Sequence, residues 1–437
     1  MSDYSGILSA LVSGDWVEPD TGLQYDIGIN DIVIRDSLDG AEAALIAKQH
    51  GGKSITIVSD PYTHEALGQR VFNALSADGQ KVSEYIWQNP ECSDKGVEHL
   101  RSVTAGSDAL IAVGSGTIND TVKYACFLDN RDYSVFATSP MNAFTTGTAS
   151  VSFGGFKQSI SCRGARGVYF DLSVLAKCPG RLISAAFADV ICRTTAQVDW
   201  LMSHILFNTD YSEVPYTLLA YDEPGMVKRA GEMLSGDVDS LGMLTRISAI
   251  MGLGTRFTET THSGSMAEHM ISHYIDMFAG ERHPRSSHGE QVGVATITMS
   301  QLQHGVLDSD SPPLMRPTVI DREALLTRFG PDNVDNMIKE TQRKALDQKR
   351  ADMLNERFAS GWGEFRSRLQ KVMLPFETLD QSMQAAGCQR TASDLGLDTD
   401  FYREAVSGAR YIRDRFSMLD IVDDSVGLDT FVTTMPV

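Results

Sequence analysis

A chain of 437 residues is long enough for two or three domains, and 42% hydrophobic with 22% charged residues is the balance of a globular protein that buries a core. Its 57 acidic against 38 basic residues leave a formal charge of −19, which argues against nucleic acid as a partner, because phosphate binding needs a positive surface to displace counterions. No apolar run approaches bilayer length and "MSDYSGILSALVSGDWVEPD" has neither a basic nor a sustained apolar signal region, so the expectation is a protein without membrane span or signal peptide.

The first ~180 residues alternate short β-branched runs with helical patterns, the texture of a parallel α/β unit. "SITIVSD" (54–60) reads as a strand ending at Asp60, followed by "PYTHEALGQRVFNALSADG" as an amphipathic helix with Pro61 in its first turn. "ALIAVGSGTINDTVKYACF" (109–127) reads as strand, glycine loop and helix, and "SVFATSP" (134–140) as another buried strand. In that loop, Gly114, Ser115, Gly116 and Thr117 let backbone N–H groups and a helix N-terminus face a phosphate. The third glycine and the later acidic residue of the dinucleotide fingerprint are absent, so a tight turn with no ligand explains the loop equally well. Asp60 suits ribose hydroxyls, but helix capping accounts for it too.

From about residue 181 helical periodicity takes over. "AAFADVICRTTAQVDWLMSHIL" (185–206) reads as one helix with Asp189 in its first turn, and "VDNMIKETQRKALDQKRADMLNERF" (334–358) as one long helix with a solvated, ion-paired face. Residues 267 to 295 hold four of the ten histidines: His269 and His273 at i,i+4 on one helix face, His283 in a loop, and His288 opening a further helix. Two or three imidazoles with one carboxylate make a site suited to zinc, iron or nickel. A zincin is disfavoured, because no glutamate follows His269. Each histidine alone has a structural explanation, and for His283 that explanation is preferred. The six cysteines form no C-x-x-C pair and read as reduced thiols, which points to the cytoplasm.

"AVGSGTINDTVKY", "RGVYFDLSVLAKCP", "AQVDW", "SGSMAEHMISHYIDM", "HGEQVGVATI" and "GARYIRDRFSMLDI" occur in the order and spacing of the glycerol-1-phosphate dehydrogenases. These are a branch of the iron-containing alcohol dehydrogenase and dehydroquinate synthase-like superfamily, which the chain resembles from about residue 25 to about residue 428. The resemblance implies a Rossmann-like NAD(P)-binding domain over 1–180 and an all-α metal- and substrate-binding domain over 181–437, with the active site in the cleft between. It implies NAD or NADP and one divalent metal, zinc with nickel or iron as alternatives, held by Asp189, His269 and His288. His273 matches a second family histidine, in an outer or proton-relay role.

Gly114, Ser115, Gly116, Thr117 and Asp120 are implied around the cofactor phosphates, Asp60 at the ribose and Thr138 near the nicotinamide. Lys157 and Arg256 match family positions and are candidate phosphate or substrate contacts. Asn142 stands where the family has an aspartate at the substrate end, Ala188 where it has glycine, and Arg193 where it has lysine. The implied reaction is reversible reduction of dihydroxyacetone phosphate to sn-glycerol 1-phosphate, in a possible homodimer. The alternatives are a superfamily enzyme acting on another phosphorylated ketone, alcohol or sugar, including a dehydroquinate synthase-like cyclase, and a non-catalytic ligand-binding relative. A metallohydrolase leaves the glycine loop unexplained. With −19 overall, any anionic substrate must be met by a local cation or metal.

Overall fold

A computed structural model describes residues 2–154 and 156–434, without the side chains of residues 156 and 157. The α/β beginning and helical remainder expected from the sequence are both present. Six parallel strands form one sheet: β1 (Asp31–Arg35), β2 (Ile55–Ser59), β3 (Val82–Ile86), β4 (Ala109–Gly114), β5 (Asp132–Ala137) and β8 (Gly167–Asp171), in the order β1-β8-β5-β4-β2-β3. β2, β4 and β8 are buried along their whole length, so they read as unbroken apolar runs instead of alternating ones. β6 (Thr148–Phe153) and β7 (Phe156–Ser161) make a separate antiparallel hairpin.

The helices that position candidate residues are α1 (Gly116–Leu128), α2 (Gly180–Ile191), α3 (Arg193–Phe207), α4 (Val238–Thr258), α5 (Ala267–Phe278), α6 (His288–Leu307), α7 (Val334–Lys344) and α8 (Gln348–Gln370). The chain forms two compact units, one of Met1–Ala186 with Glu213–Thr260 and the other of Phe187–Ser212 with Thr261–Val437. This differs from a single division after residue 180. Residues 213–260 join the first unit because α4 packs there: Gly242 lies against Tyr4, where a Cβ would come 2.8 Å from the ring, and Thr145 Oγ1 donates to the Ala249 carbonyl at 2.8 Å. The first unit's core includes Val33, Ile57, Val71, Ile111, Phe136 and Tyr169.

The second unit has a helical core built on residues such as Tyr274, Phe358, Trp362, Phe401 and Tyr402. The stretch 185–206 is two helices, interrupted at Cys192, and 334–358 is likewise broken, by Ala345–Asp347. Leu346 is buried at that break and Asp347 caps α8 by accepting the Arg350 N–H at 2.7 Å. Nor is the face uniformly solvated: Lys344 is buried against Asp420 at 2.9 Å. Asp420 also takes the buried Arg410, which reaches Asp423 and Asp424 as well. No helix among the described residues is long and apolar enough to cross a membrane.

Candidate metal centre and nucleotide loop

In the first unit the candidate nucleotide residues gather at the carboxyl ends of three adjacent strands: Asp60 after β2, Gly114–Thr117 after β4, and Thr138 after β5. That is where open parallel sheets bind ligands. A Cβ on Gly114 would lie 2.7 Å from Ile118 Cβ, so the turn into α1 demands glycine. A Cβ on Gly116 would meet nothing within 4 Å, which leaves open space over the first N–H groups of α1. Ser115 makes no side-chain cap, and those donors face that space without a protein acceptor from the cap residue. Thr138 is buried and its N–H donates to the Gly114 carbonyl at 3.1 Å, tying the two strand ends together. Asp60 does cap its helix, accepting the Tyr62 and Thr63 N–H groups on Oδ1 at 2.9 Å each.

Asp120 is placed differently from the phosphate-side position expected of it. Its Oδ2 accepts the Ser150 N–H at 3.0 Å, and its Oδ1 accepts from Asn119 at 3.0 Å and Lys123 at 3.2 Å. Oδ2 thus ties the β6–β7 hairpin to α1, while Oδ1 is held by two side chains of α1 itself. Asn142 opens a short turn, Asn142–Phe144, packed so closely on α4 that a Cβ on Gly252 would come 2.3 Å from its carbonyl oxygen. Lys157 pairs with Ser152 across the hairpin, and its side chain lies outside the described residues. Arg256 sits beside Gly28, Gly147 and Gly164, which precede β1, β6 and β8, and touches none of Gly114–Thr117 in these contacts.

In the second unit three helices converge. Asp189 lies on α2, His269 on α5, and His288 is the first residue of α6. One ligand atom from each lies within 4.8 Å of the others; His269 Nε2 is 3.5 Å and His288 Nε2 4.0 Å from Asp189 Oδ1. The helical repeat of α5 puts His269, Ser272, His273 and Asp276 on one face. The ring of His273 lies 5.8 Å from that of His288 and 6.2 Å from that of His269, adjacent to the triangle and not one of its corners.

Partners behind the ligands fix both tautomers. His269 Nδ1 lies 3.0 Å from Oε1 of the buried Glu268, to which it donates, leaving Nε2 directed at Asp189. Ser272 donates to Gln291 Oε1 at 2.8 Å, so its oxygen accepts from His288 Nδ1 at 3.0 Å, and Nε2 is the ring atom that faces Asp189 at 4.0 Å. Gln291 is held in turn by Asp276 at 3.1 Å, and His283 joins the same group, 3.0 Å from Asp276 Oδ1. His283 is therefore part of the support of the site, not a loop residue apart from it. Burial presses His269 toward neutrality, but hydrogen bonds with Asp189, Cys192 and Glu268 outweigh it and hold its pKa well above the usual imidazole value.

A second set, Cys192 with Glu268 and His269, also meets the spacing of a metal site. Burial pushes the Cys192 thiol up to about 12, and it donates to the Asp189 carbonyl at 3.0 Å. In this state the Cys192 thiol serves the fold, donating to a carbonyl in the last turn of α2. The Asp–His–His set, two imidazole nitrogens and one carboxylate oxygen within 4.8 Å of one another, fits a divalent transition metal.

The departures at 188 and 193 are absorbed locally. Ala188 faces Gly293 of α6, where a Cβ would lie 2.9 Å from its methyl, so the glycine accommodates the added group. Arg193 is buried and donates to Gln197 at 2.8 Å. Sequence reasoning missed Glu268, Ser272, Asp276 and Gln291. The signal was available: Ser272 and Gln291 each stand three residues after an expected ligand.

The family model for iron-containing alcohol dehydrogenase matches residues 33–179. Glycerol-1-phosphate dehydrogenase (NAD(P)+) of Geobacillus thermodenitrificans is 27% identical over 281 residues, covering 62% of this chain and 69% of that protein. The Bacillus subtilis protein of the same name is 22% identical, over 86% of this chain and 87% of its own. The crystal structure of a probable glycerol dehydrogenase from Sinorhizobium meliloti superposes with a TM-score of 0.60 at 18% identity, over 93% of this chain and 98% of the other.

Proposed function

Because the chain belongs to the iron-containing alcohol dehydrogenase superfamily of oxidoreductases, we propose that it reversibly reduces dihydroxyacetone phosphate to sn-glycerol 1-phosphate, using NAD or NADP and one divalent metal, with zinc the first candidate. The observation that carries this reading is the Asp189–His269–His288 triangle, in which one ligand atom of each residue lies within 4.8 Å of the others. Bound metal and nicotinamide supply, respectively, Lewis-acid polarisation of the ketone oxygen and the hydride that reaches its carbon.

The chain's own groups do the rest. Asp189, His269 and His288 hold the metal, with Glu268 and Ser272 fixing the ring orientations. Gly114–Thr117 bind the cofactor phosphates through backbone N–H groups. Asp60 receives the ribose and favours NAD, since a carboxylate repels a 2′-phosphate. His273 passes a proton to the substrate oxygen as hydride adds to carbon, which balances the reduction. Asn142 offers a neutral amide to a substrate hydroxyl where the resembled family has a carboxylate. That change favours, as a second reading, another phosphorylated ketone, alcohol or sugar on the same scaffold.

The test is absorbance at 340 nm of metal-replete protein with dihydroxyacetone phosphate and NADH or NADPH, followed by chiral analysis of the product. Nucleotide oxidation that yields sn-glycerol 1-phosphate is the expected result. No turnover by protein that binds metal and nucleotide overturns the substrate assignment.

A further inference from the structure

A phosphoryl group approaching a chain of charge −19 needs a cation not already neutralised by carboxylate. Most partly buried arginines here are neutralised: Arg70 pairs with Glu42 and Asp171, Arg131 with Asp129, Arg246 with Asp222, and Arg410 with three aspartates. Arg256, half-buried in the last turn of α4, forms no ion pair and donates no side-chain hydrogen bond among the described residues, although its Nε is buried. Thr255 Oγ1, beside it in sequence, is also buried without a partner. Arg70, Arg131 and Arg366 also have a buried Nε without a hydrogen-bond partner, but each is ion-paired; that Arg256 has no ion pair at all among the described residues is what needs an explanation.

The walls around the guanidinium supply one. They come from three separate segments, each presenting a glycine. A Cβ on Gly147 would lie 3.3 Å from Arg256 Cζ, one on Gly28 3.5 Å from it, and one on Gly164 3.5 Å from Nη2. Backbone without side chains thus surrounds a planar fork of donors. The nearby carboxylates are engaged. Asp26 accepts the Gly28 N–H at 2.8 Å. Asp132 is shared by Lys53, Arg166 and Arg163, the last two of which flank Gly164. Asp132 is thus matched by three cations, and Asp26 accepts only a backbone N–H among the described residues. An arginine in a last helical turn also stabilises the helix dipole, but that requires neither a buried Nε nor a glycine collar.

We propose that Arg256, within the collar of Gly28, Gly147 and Gly164, binds a phosphoryl oxyanion through its planar fork. This site uses none of the loop residues Gly114–Thr117: its collar is formed by the segments that lead into β1, β6 and β8. It lies one helical turn from Gly252, which packs on the Asn142 carbonyl. The occupant is either the phosphate of the substrate or free inorganic phosphate. Only the first of these rests on the function proposed above.

Calorimetric titration of the metal-loaded full chain with inorganic phosphate tests the site without any turnover. Arg256→Met is expected to weaken binding about 10- to 100-fold, the loss of a charge-assisted pair of hydrogen bonds, and Arg256→Lys to weaken it less. Gly147→Ala, whose methyl fills space beside Cζ, is expected to weaken binding with Arg256 intact, which keeps the test decisive if Arg256→Met does not fold. Phosphate affinity unchanged in all three variants overturns the proposal. Displacement of phosphate by dihydroxyacetone phosphate assigns the site to the substrate, and simultaneous binding of both assigns it to a separate phosphate effector. Failure of the 340 nm assay with phosphate binding intact rejects the substrate and retains the site.

Discussion

The glycine loop of the first unit and the histidine cluster of the second solve opposite problems. The loop is made of backbone: Gly114 permits the turn, Gly116 leaves space, and the donors are N–H groups that any residue carries. The cluster is made of side chains whose chemistry has no substitute. Each depends on a second residue behind it, Glu268 for His269 and Ser272 with Gln291 for His288. A backbone site therefore fails through shape, and a side-chain site through the loss of one atom.

That contrast can be broken in four places. His288→Ala is expected to have the largest effect, with bound metal falling below stoichiometry and turnover dropping about a thousandfold, the several kcal/mol that a Lewis acid supplies. Metal analysis beside NADH titration checks it, and the contrast requires nucleotide affinity to survive. Gln291→Met removes the acceptor that orients Ser272. Metal affinity, measured by competition with a chelator, should fall about 10- to 100-fold while every ligand remains; an unchanged affinity removes Gln291 from the site. Gly114→Ala forces a methyl against Ile118 at a strain of about 1–3 kcal/mol. NADH affinity should weaken by roughly tenfold at full metal content, whereas Gly116→Ala should leave the fold intact and report only whether phosphate occupies the open space.

The smallest effect concerns Asp199, buried on α3 behind the cluster, where burial first and the charge of Glu268 second raise its pKa to about 8 from 3.8. The folded state keeps a proton that the unfolded chain releases. Stability from this group is full below pH 3.8 and is lost as pH rises through about 8. Asp199→Asn should flatten that loss, so the Tm difference between variant and parent, measured at pH 5 and pH 8, should move in favour of the variant at the higher pH. No change in that difference rejects the buried neutral carboxyl.

The strands were legible because runs such as β4 and the Val135–Ala137 end of β5 are apolar and closed by turn residues, and the histidine cluster because imidazoles are few and lie close together in sequence. The breaks at Cys192 and Ala345–Asp347 were not legible, since neither contains proline or glycine and helical periodicity runs through both. Leu346 turns inward to be buried, and Asp347 starts a new helix by capping it. These are tertiary demands with no local signature. Asp120 was misplaced for a related reason: spacing from the loop put it near the phosphates, whereas Lys123 and the hairpin turned its carboxylate inward.

The placement of α4 sets the order in which the protein can be made. All six strands have left the ribosome by Asp171, yet the helix that covers β1 ends only at Thr258. A nascent chain stopped between those points lacks the part of the cover over β1 that α4 supplies, which leaves apolar surface for chaperones or aggregation. A fragment cut at residue 180 lacks that packing permanently, so a single cut there does not separate the first compact unit whole. Expressing it alone requires residues 213–260 to be carried along, spliced to the end of the sheet.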